Sequence, residues 1–384
     1  MHSVILFILY HFYTLSYHDS HEDRRRRHTR EFHPLYPVHF TSLLRIFDYN
    51  GAMSQIRISS RNFFHNISQI AAKTQSIEKI ALVLKDNAYG HGLKIMAELA
   101  RKAGVRHAVV RRVCEAEAIG GLFETVLVLS ELPQETPPED IHITINSMEA
   151  IDRIPKDTTV ELKIDTGMHR NGIEPGRFAE ALEKISGRGL KLAGVMTHYR
   201  SADEMGSEFF WQKKRFDLVR EEAVRIGVSG IRWHSCNSAA LFRMSGFDED
   251  IARIGIAAYG CLKMPSSFFP PDLMPVMSLW ADKIATRELR AGERVGYGGE
   301  GVVAEDCRIS SYDIGYGDGW PRREYVLPDG RSLVGRVSMD MVCIEGDEER
   351  ICIFDDASKA AEQLGTIGYE VMTGLSASVK RVVV

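Results

Sequence analysis

The sequence predicts an α/β protein in which a (β/α)8 barrel of the TIM type is followed by a smaller, mostly β C-terminal domain. Three features indicate this fold. Short apolar runs alternate with amphipathic stretches from Met53 to about Met264, as buried strands and crossover helices do. Prolines then cluster between Pro265 and Pro275, and β-prone runs with glycine-rich turns follow them. Eight strand–helix units in succession favour a closed barrel over an open doubly wound sheet.

The candidate barrel strands are short, mainly apolar runs, which is typical of parallel strands covered on both faces. They are Ile80–Leu84, His107–Val110, Val126–Leu129, Ile141–Ile145, Val160–Ile164, Gly194–His198, Ile231–His234 and Ala252–Ile256. The clearest helical patterns between them are Leu93–Lys102, Arg177–Ile185 and Glu208–Arg225, where apolar residues recur with the helical period. We therefore assign residues 53–268 to the barrel.

A proline-rich linker separates the barrel from the second domain. Pro265, Pro270, Pro271 and Pro275 lie close together, and proline interrupts both helices and central strands. The β-prone runs beyond the linker are Ser278–Ile284, Val302–Ser311, Leu333–Ile344 and Ile351–Phe354. Helical patterns are scarce in this part, so we expect residues 269–384 to form a β-rich domain.

The first 52 residues differ in composition from the rest. They contain seven of the 14 histidines and the basic run from Arg24 to Arg27. Their apolar stretch, Val4–Tyr17, lacks the charged start and the cleavage site of a signal peptide and is too short to span a bilayer. We expect residues 1–52 to be a disordered extension or to precede the true start at Met53. A targeting arm and an ordered accessory element are the alternatives.

Composition narrows the class of function. The formal net charge is −4, which argues against nucleic acid or an anionic membrane as the main partner. The six cysteines are scattered, without a C-x-x-C pair or zinc-type spacing. This usage fits a reducing, cytoplasmic compartment and gives no indication of a metal site.

The sharpest local feature is the segment from Leu84 to Gly92, in which Lys85 ends the first predicted strand. Catalytic residues of TIM barrels lie at the carboxyl ends of the strands, so Lys85 is well placed to form a Schiff base with an aldehyde. Such a lysine must lose its proton, which burial beside cationic groups would favour. The alternative is a lysine that only ends the strand and extends into water.

Around this lysine the sequence resembles the alanine racemase family, whose cofactor-lysine signature reads Val-Lys-Ala-Asn-Ala-Tyr-Gly-His-Gly. Within that signature Asp86 stands where alanine is usual. Further segments match in order and spacing: Lys163–Arg170, Thr197–His198, Ser201–Glu204, Asn237–Ala240, Arg253–Ile256, Val295–Gly298, Gly315–Gly319 and Gly335–Asp340. The resemblance extends from Met53 to near the C-terminus. Two other departures are Asn171, where leucine is common, and Trp320, where tyrosine is common.

The resemblance implies a barrel and a β domain paired head to tail in a homodimer, with pyridoxal 5′-phosphate bound to Lys85. The groups that would hold the phosphate are the side chains of Tyr89, Ser238 and Tyr369 and the backbone of Gly255 and Ile256, with Asn237 beside them. The resemblance also implies that Arg253 faces the pyridine nitrogen, with His198 as its neighbour. An arginine cannot give that nitrogen a proton, so the ring would be a weaker electron sink.

The implied reaction is the interconversion of L-alanine and D-alanine, which supplies D-alanine for peptidoglycan. Lys85 would act on the α-hydrogen of D-alanine, and Tyr297 from the partner chain on that of L-alanine. Arg170 matches the position that binds the phenolic oxygen of the cofactor and the substrate, and Lys163 matches one that is often carbamylated. The resemblance places Met339 and Tyr316 of the partner at the substrate entrance, with Asp340 in support.

Two other functions remain open from the sequence. One is a racemase of broader specificity that also accepts serine, because one extra substituent changes binding by only about 1–3 kcal/mol. The other is a non-catalytic barrel that binds pyridoxal phosphate. Such a protein would lack the β domain, so the segments Val295–Gly298 and Gly335–Asp340 argue against it.

Overall fold

The computed structural model describes residues 53–384, so the predicted extension, residues 1–52, lies outside the described residues. The strands are β1 Gln55–Ile58, β2 Ile80–Val83, β3 His107–Val110, β4 Thr125–Val128, β5 Ile141–Ile145, β6 Thr159–Lys163, β7 Lys191–Met196, β8 Arg232–His234, β9 Ala252–Ile254, β10 Met277–Leu289, β11 Arg294–Val295, β12 Gly301–Val302, β13 Cys307–Tyr312, β14 Val342–Glu345, β15 Arg350–Phe354 and β16 Lys380–Val383. The helices are α1 Ser60–Thr74, α2 Leu93–Lys102, α3 Val113–Ala118, α4 Met148–Arg153, α5 Phe178–Gly187, α6 Glu208–Arg225, α7 Ser238–Arg243, α8 Ala357–Leu364 and α9 Gly368–Gly374.

Strands β2 to β9 form the predicted barrel. They are parallel and follow the order β8-β7-β6-β5-β4-β3-β2-β9. Backbone hydrogen bonds from Asp250 N to the Trp233 carbonyl (3.2 Å) and from Arg253 N to the Cys236 carbonyl (2.9 Å) connect β9 to the β8 side. Strands such as β2, β5 and β6 are buried along their whole length, because helices cover the outside and side chains fill the inside. The predicted fold class and all eight barrel strands are confirmed.

The second part of the chain is a mostly β domain built around the long strand β10. Its main sheet has the order β14-β13-β10-β1-β16, and β15 also pairs with β10. A register shift between Lys283 and Ala285 divides β10, so its first half pairs with β1 and β15 and its second half with β13. Strand β1 thus belongs to the sheet of the β domain, although the sequence analysis assigned residues 53–268, which include β1, to the barrel. Its alternating burial, unlike the continuous burial of the barrel strands, suits a sheet with one covered face.

The C-terminal segment packs against the loop that follows β2. A Cβ atom on Gly90 would lie 2.1 Å from the carbonyl oxygen of Met372 in α9. Arg381 of β16 donates from Nε to the Gly90 carbonyl at 3.0 Å. The β domain therefore supports the predicted cofactor-lysine loop directly. Within residues 53–384, none of the helices combines the length and apolar character needed to cross a membrane.

Candidate active site

A cavity of about 780 Å³ opens where the carboxyl ends of the barrel strands meet. Every barrel residue predicted for the site lines this cavity, and Tyr369 of α9 lines it too. These residues are Lys85, Tyr89, Lys163, Arg170, His198, Asn237, Ser238, Arg253, Gly255, Ile256 and Tyr369. Position at strand ends, rather than closeness in sequence, brings them together.

The cavity is strongly cationic. Its lining includes the basic residues Lys85, Arg111, Lys163, Arg170, Arg200, Arg253 and Lys263. Asp203 is the one carboxylate among the described residues that line it. Like charges gathered in a partly enclosed space attract a ligand of opposite sign. The cavity is therefore suited to an anionic ligand.

Lys85 follows β2 and begins a turn of unusual handedness. The next four residues, Asp86 to Tyr89, all have φ between 51° and 56°, a left-handed conformation that costs about 1–2 kcal/mol per residue for L-amino acids. Backbone hydrogen bonds from Ala88 N to the Leu84 carbonyl (2.8 Å) and from Gly92 N to the Asn87 carbonyl (3.0 Å) hold the turn. This turn places Lys85 and Tyr89 in the same cavity.

The environment of Lys85 favours the neutral amine. Burial lowers the pKa of Lys85, and Arg170 and Arg111 lower it further, whereas Asp86 opposes the shift. The side chain of Asp86 is itself bound to Arg111 at 2.7 Å. Both partners are more than one-third exposed, so this pair contributes little stability. It does neutralise part of the charge that Asp86 would otherwise place beside the lysine.

Hydroxyl and amide groups gather at one end of the cavity. Ser238 begins α7, whose N-cap Asn237 accepts from the Ala240 amide at 2.9 Å. Ser238 Oγ accepts from the amides of Gly255 (3.2 Å) and Ala257 (3.3 Å). A Cβ on Gly255 would stand 2.4 Å from the hydroxyl oxygen of Tyr89, so only glycine lets that hydroxyl approach the backbone so closely.

The two tyrosines at this end stay protonated. Their rings lie 5.8 Å apart between centroids. Burial raises the pKa of Tyr89, with further contributions from Tyr369 and Asp86. Burial also raises the pKa of Tyr369 to about 12, with Asp203 contributing. Both hydroxyls can therefore donate to an anion near neutral pH.

Arg253 also lines the cavity, and its terminal nitrogens are held by hydrogen bonds to buried groups of the barrel. One terminal nitrogen donates to His234 Nδ1 (2.6 Å) and to the His234 carbonyl (2.9 Å), and the other donates to the Ser235 carbonyl (3.2 Å). Because a guanidinium only donates, His234 Nδ1 must accept and its proton must lie on Nε2. That proton is donated to the buried carboxylate of Glu161 at 2.5 Å. Among residues 53–384, Nε of Arg253 has no hydrogen-bond partner and remains available to a ligand.

Two more predicted residues lie close to Arg253 and respond to its charge. Burial lowers the pKa of His198 to about 3, with Arg253 and Lys163 contributing, so this imidazole is neutral. Burial lowers the pKa of Lys163 to about 8, and Arg170 and Arg253 add to the effect. Arg170 itself forms no hydrogen bond or ion pair within the described part of the chain, so its guanidinium is free to bind a ligand in the cavity.

The remaining predicted residues lie outside the cavity of their own chain. Tyr297, Tyr316 and Met339 are 67%, 45% and 55% exposed, and Asp340 is exposed as well. The Gly317 amide donates to the Met339 carbonyl at 2.8 Å, which joins the loops that carry Tyr316 and Met339. These side chains are presented on the surface of the β domain.

The sequence analysis missed two charged residues that shape the site. Arg111 lines the cavity directly after β3, and its position at a strand end was the signal that could have revealed it. Glu161 lies fully buried in the middle of β6. A carboxylate inside a buried strand requires buried partners, and that pattern could have pointed to the two histidines and the arginine around it.

Comparison with known proteins agrees with this arrangement. The family model described as "Alanine racemase, N-terminal domain" matches residues 58–263, and "Alanine racemase, C-terminal domain" matches residues 276–383. The chain is 43% identical over 333 residues to the alanine racemase of a Nitratiruptor species, covering 86% of this chain and 99% of the relative. It is 38% identical over 336 residues to that of Campylobacter jejuni subsp. jejuni serotype O:2, covering 86% and 100%.

Solved structures give the same result. The alanine racemase of Clostridium difficile 630 superposes with a TM-score of 0.79 at 25% identity, covering 87% of this chain and 96% of that one. The alanine racemase from Bacillus anthracis with bound L-Ala-P has a TM-score of 0.77 at 27% identity, with coverages of 87% and 95%. Family models, relatives and structures agree over both the barrel and the β domain, and the chain belongs to the alanine racemase family.

Proposed function

We propose that the protein interconverts L-alanine and D-alanine, using pyridoxal phosphate on Lys85 and an acid/base pair of Lys85 and the partner's Tyr297. One observation carries the proposal: an amine, a group of hydroxyls and a buried guanidinium line a single cavity at the barrel end. Each belongs to a residue that the family resemblance assigned to the cofactor. The relatives described above are alanine racemases, which supports alanine as the substrate.

The lining residues fit pyridoxal phosphate by their chemistry. Ser238, Tyr89 and Tyr369 supply hydroxyls for the phosphate at the end where the amides of Gly255 and Ile256 lie. Hydroxyls and amides donate to phosphate oxygens without adding a fixed charge. Arg253 would face the ring nitrogen through its free Nε. When bound through its aldehyde to an amino group, the cofactor makes the α-hydrogen of an amino acid acidic.

The protein's own groups would hold the substrate and move the proton. The lowered pKa of Lys85 increases the fraction of neutral amine, which is the form that can accept a proton. The guanidinium of Arg253 gives no proton to the ring nitrogen, so the burden of proton transfer falls on the two acid/base groups. Arg170 would bind the substrate carboxylate and the phenolic oxygen of the cofactor.

We further propose that the active site is completed by a second copy of the chain in a head-to-tail homodimer. Tyr297, Tyr316 and Met339 are exposed on the β domain and do not line the cavity of their own chain. A two-fold dimer can bring this surface of each protomer to the cavity of the other. The partner's Tyr297 would then face the substrate from the side opposite to Lys85, with the partner's Met339 and the partner's Tyr316 at the entrance and the partner's Asp340 in support.

The alternatives differ in what they leave unexplained. A racemase of broader specificity would use the same residues, and the size of the completed cavity would decide between alanine and serine. A non-catalytic cofactor-binding barrel would need neither a β domain nor an exposed Tyr297.

For the biological role, we propose that the D-alanine enters peptidoglycan and that the reaction occurs in the cytoplasm. The free cysteines among the described residues support a reducing compartment.

Chiral analysis of alanine tests the proposal. Purified protein loaded with pyridoxal phosphate is incubated with L-alanine, beside the Lys85→Ala and Tyr297→Phe variants. We expect D-alanine from the wild type, none from Lys85→Ala and at least 100-fold less from Tyr297→Phe, since a positioned acid/base group contributes about 10²–10⁴-fold. A dimeric, cofactor-loaded protein that forms no D-alanine would reject the proposal and leave serine or a binding role.

A further inference from the structure

The side chain of Glu115, in the first turn of α3, joins the ends of two neighbouring barrel strands. Its Oε1 accepts from the backbone amide of Asp86, just after β2, at 2.9 Å. Its Oε2 accepts from the backbone amides of Arg111 at 2.8 Å and Arg112 at 3.0 Å, just after β3. Glu115 is half-buried and does not itself line the cavity. One carboxylate therefore holds three backbone amides from two strand ends.

The bond to the Asp86 amide lies directly beside the predicted cofactor lysine. This amide belongs to the peptide bond that joins Lys85 to Asp86, where the left-handed stretch of the turn begins. Each residue of that stretch is held in a conformation that is unfavourable for L-amino acids. Such a backbone persists only where its surroundings fix it. The carboxylate of Glu115 supplies a fixing contact at the residue that follows Lys85.

A second contact ties the same two strand ends together. The carboxylate of Asp86 accepts from Nη1 of Arg111 at 2.7 Å. The Asp86 amide is bound to Glu115, Glu115 is bound to the Arg111 amide, and the Arg111 guanidinium returns to Asp86. The three residues thus form a closed ring of hydrogen bonds. Alanine, which is usual at the position of Asp86 in the family pattern, could not close this ring.

A role as a helix cap alone does not account for Glu115. A glutamate at the third position of a helix commonly accepts from the amide of the N-cap residue, and Arg112 is the N-cap of α3. That role explains the bond to Arg112 but not the bond to Asp86, which follows a different strand. Glu131 provides a comparison, because its carboxylate accepts from the Val113 amide at the start of α3 at 2.6 Å. Within residues 53–384, Glu131 makes no hydrogen bond to the turn after Lys85.

Tyr89, at the far end of the turn, is held by contacts of its own. Its ring packs against those of Tyr259 and Tyr369, with centroid distances of 4.9 Å and 5.8 Å, and its side chain is buried. These contacts do not involve Glu115. A change at Glu115 should therefore affect the lysine end of the turn more than the hydroxyl group at its other end.

We propose that Glu115 is a positioning residue for Lys85, which it places to meet the aldehyde of pyridoxal phosphate by fixing the peptide that follows the lysine. The neutral amine of Lys85 attacks the aldehyde carbon, a carbon–nitrogen double bond forms, and the aldehyde oxygen leaves as water with the two amine protons. If the turn is released, only a fraction of the molecules present the lysine correctly, and the apparent affinity falls by that fraction. This inference rests on the proposed function for its cofactor.

Binding of two forms of the cofactor to the full chain, freed of bound cofactor, provides the test. Pyridoxine 5′-phosphate has an alcohol in place of the aldehyde, so it can occupy the site but cannot link to Lys85. Both compounds are titrated by fluorescence into wild type, Glu115→Gln and the control Glu131→Gln. Glutamine keeps one acceptor oxygen, but its NH₂ group would face a backbone amide, and two donors cannot share a hydrogen bond.

We expect Glu115→Gln to bind pyridoxal phosphate at least roughly tenfold more weakly, as for the loss of one charge-assisted hydrogen bond. Its affinity for pyridoxine phosphate should change little, because the groups that hold the phosphate and the ring keep their places. Glu131→Gln should bind both compounds as wild type does. If Glu115→Gln does not fold, Glu115→Asp replaces it with the same expectation, since the shorter side chain keeps the charge but cannot reach both strand ends.

Three results would overturn the proposal. An unchanged affinity of Glu115→Gln for pyridoxal phosphate would show that Glu115 does not position Lys85. An equal loss of affinity for both compounds would show that Glu115 supports the site as a whole or only the fold. A wild type that binds pyridoxal phosphate no more tightly than pyridoxine phosphate would reject the link to Lys85, and with it the proposed function. The first two results leave the proposed function intact, so the two failures are distinguishable.

Discussion

Replacement of Glu161 by glutamine should destabilise the barrel far more than the loss of an exposed carboxylate. Glu161 is fully buried, and its oxygens accept from His142 (2.8 Å), from His234 (2.5 Å) and from Arg232. Burial raises the pKa of this carboxyl, but Arg232 and His234 outweigh it and hold the pKa well below its usual range. The charged form is therefore an integral part of the folded core.

The magnitude follows from what the substitution leaves behind. Removing one partner of a buried ion pair costs about 3–5 kcal/mol, because the other charge remains buried without compensation. Glutamine keeps the shape and one oxygen acceptor, so we expect the lower end, about 3 kcal/mol. Its NH₂ group would still face a donor, either Arg232 or His234. At roughly 2 °C per kcal/mol for a chain of this size, the midpoint of thermal unfolding should fall by about 6 °C.

Thermal unfolding at fixed protein and cofactor concentration measures this effect, since bound ligand and partner both contribute to apparent stability. Glu124→Gln is the matched control. Glu124 pairs with Arg106 at 3.1 Å, but both side chains are about half exposed, and such pairs contribute about 1 kcal/mol or less. If Glu161→Gln unfolds at the same temperature as Glu124→Gln, the reasoning about the buried network is wrong.

Two further predictions follow from the site. Gly255→Ala should weaken cofactor binding at least tenfold, because the new Cβ would stand 2.4 Å from the Tyr89 hydroxyl. The control is Gly176→Ala, which has open space around it and should bind the cofactor normally in the same fluorescence titration. Equal cofactor affinities of the two variants would contradict the proposed binding of the phosphate near Gly255. Acid should also destabilise the fold. Burial lowers the pKa of His198 to about 3 and that of His234 to about 4, below the unfolded value of about 6.5. The contribution of the two neutral histidines to the free energy of unfolding is therefore complete above pH 6.5. It decreases as the pH falls toward 4, by about 1.4 kcal/mol per pH unit for each histidine. An unfolding midpoint that does not change between pH 7 and 5 would refute this.

The barrel was predictable from sequence because its strands are buried on both faces and several read as unbroken apolar runs, as in Ile80–Val83. Strand β1 was not predicted, because four alternating residues carry too weak a periodic signal. Its partners, β10 and β16, lie more than 200 residues away in the chain, and no local pattern specifies such pairing. The left-handed turn after Lys85 was also not predicted, since three of its four residues are not glycine or asparagine.

For the candidate site, the sequence supplied the residues and the structure supplied their grouping. The resemblance assigned Tyr89 and Tyr369 to one cofactor group, and both line one cavity although they are far apart in sequence. It gave no indication of the contact between Lys163 and Asn171, because the direction of an amide depends on its neighbours in space. Nor did it indicate that Glu161 supports Arg253 through His234, since that support crosses three strands.

The central claim is that each active site combines Lys85 of one chain with Tyr297 of the other, and subunit complementation tests it most directly. Lys85→Ala and Tyr297→Phe proteins are dissociated, mixed in equal amounts, reassociated and assayed for conversion of L-alanine to D-alanine. In a mixed two-fold dimer one site has both groups and the other has neither. Because about half of randomly formed dimers are mixed, activity should rise from near zero to about a quarter of the wild-type value. A mixture no more active than its components, although mixed dimers are demonstrated by mass, would contradict the shared site.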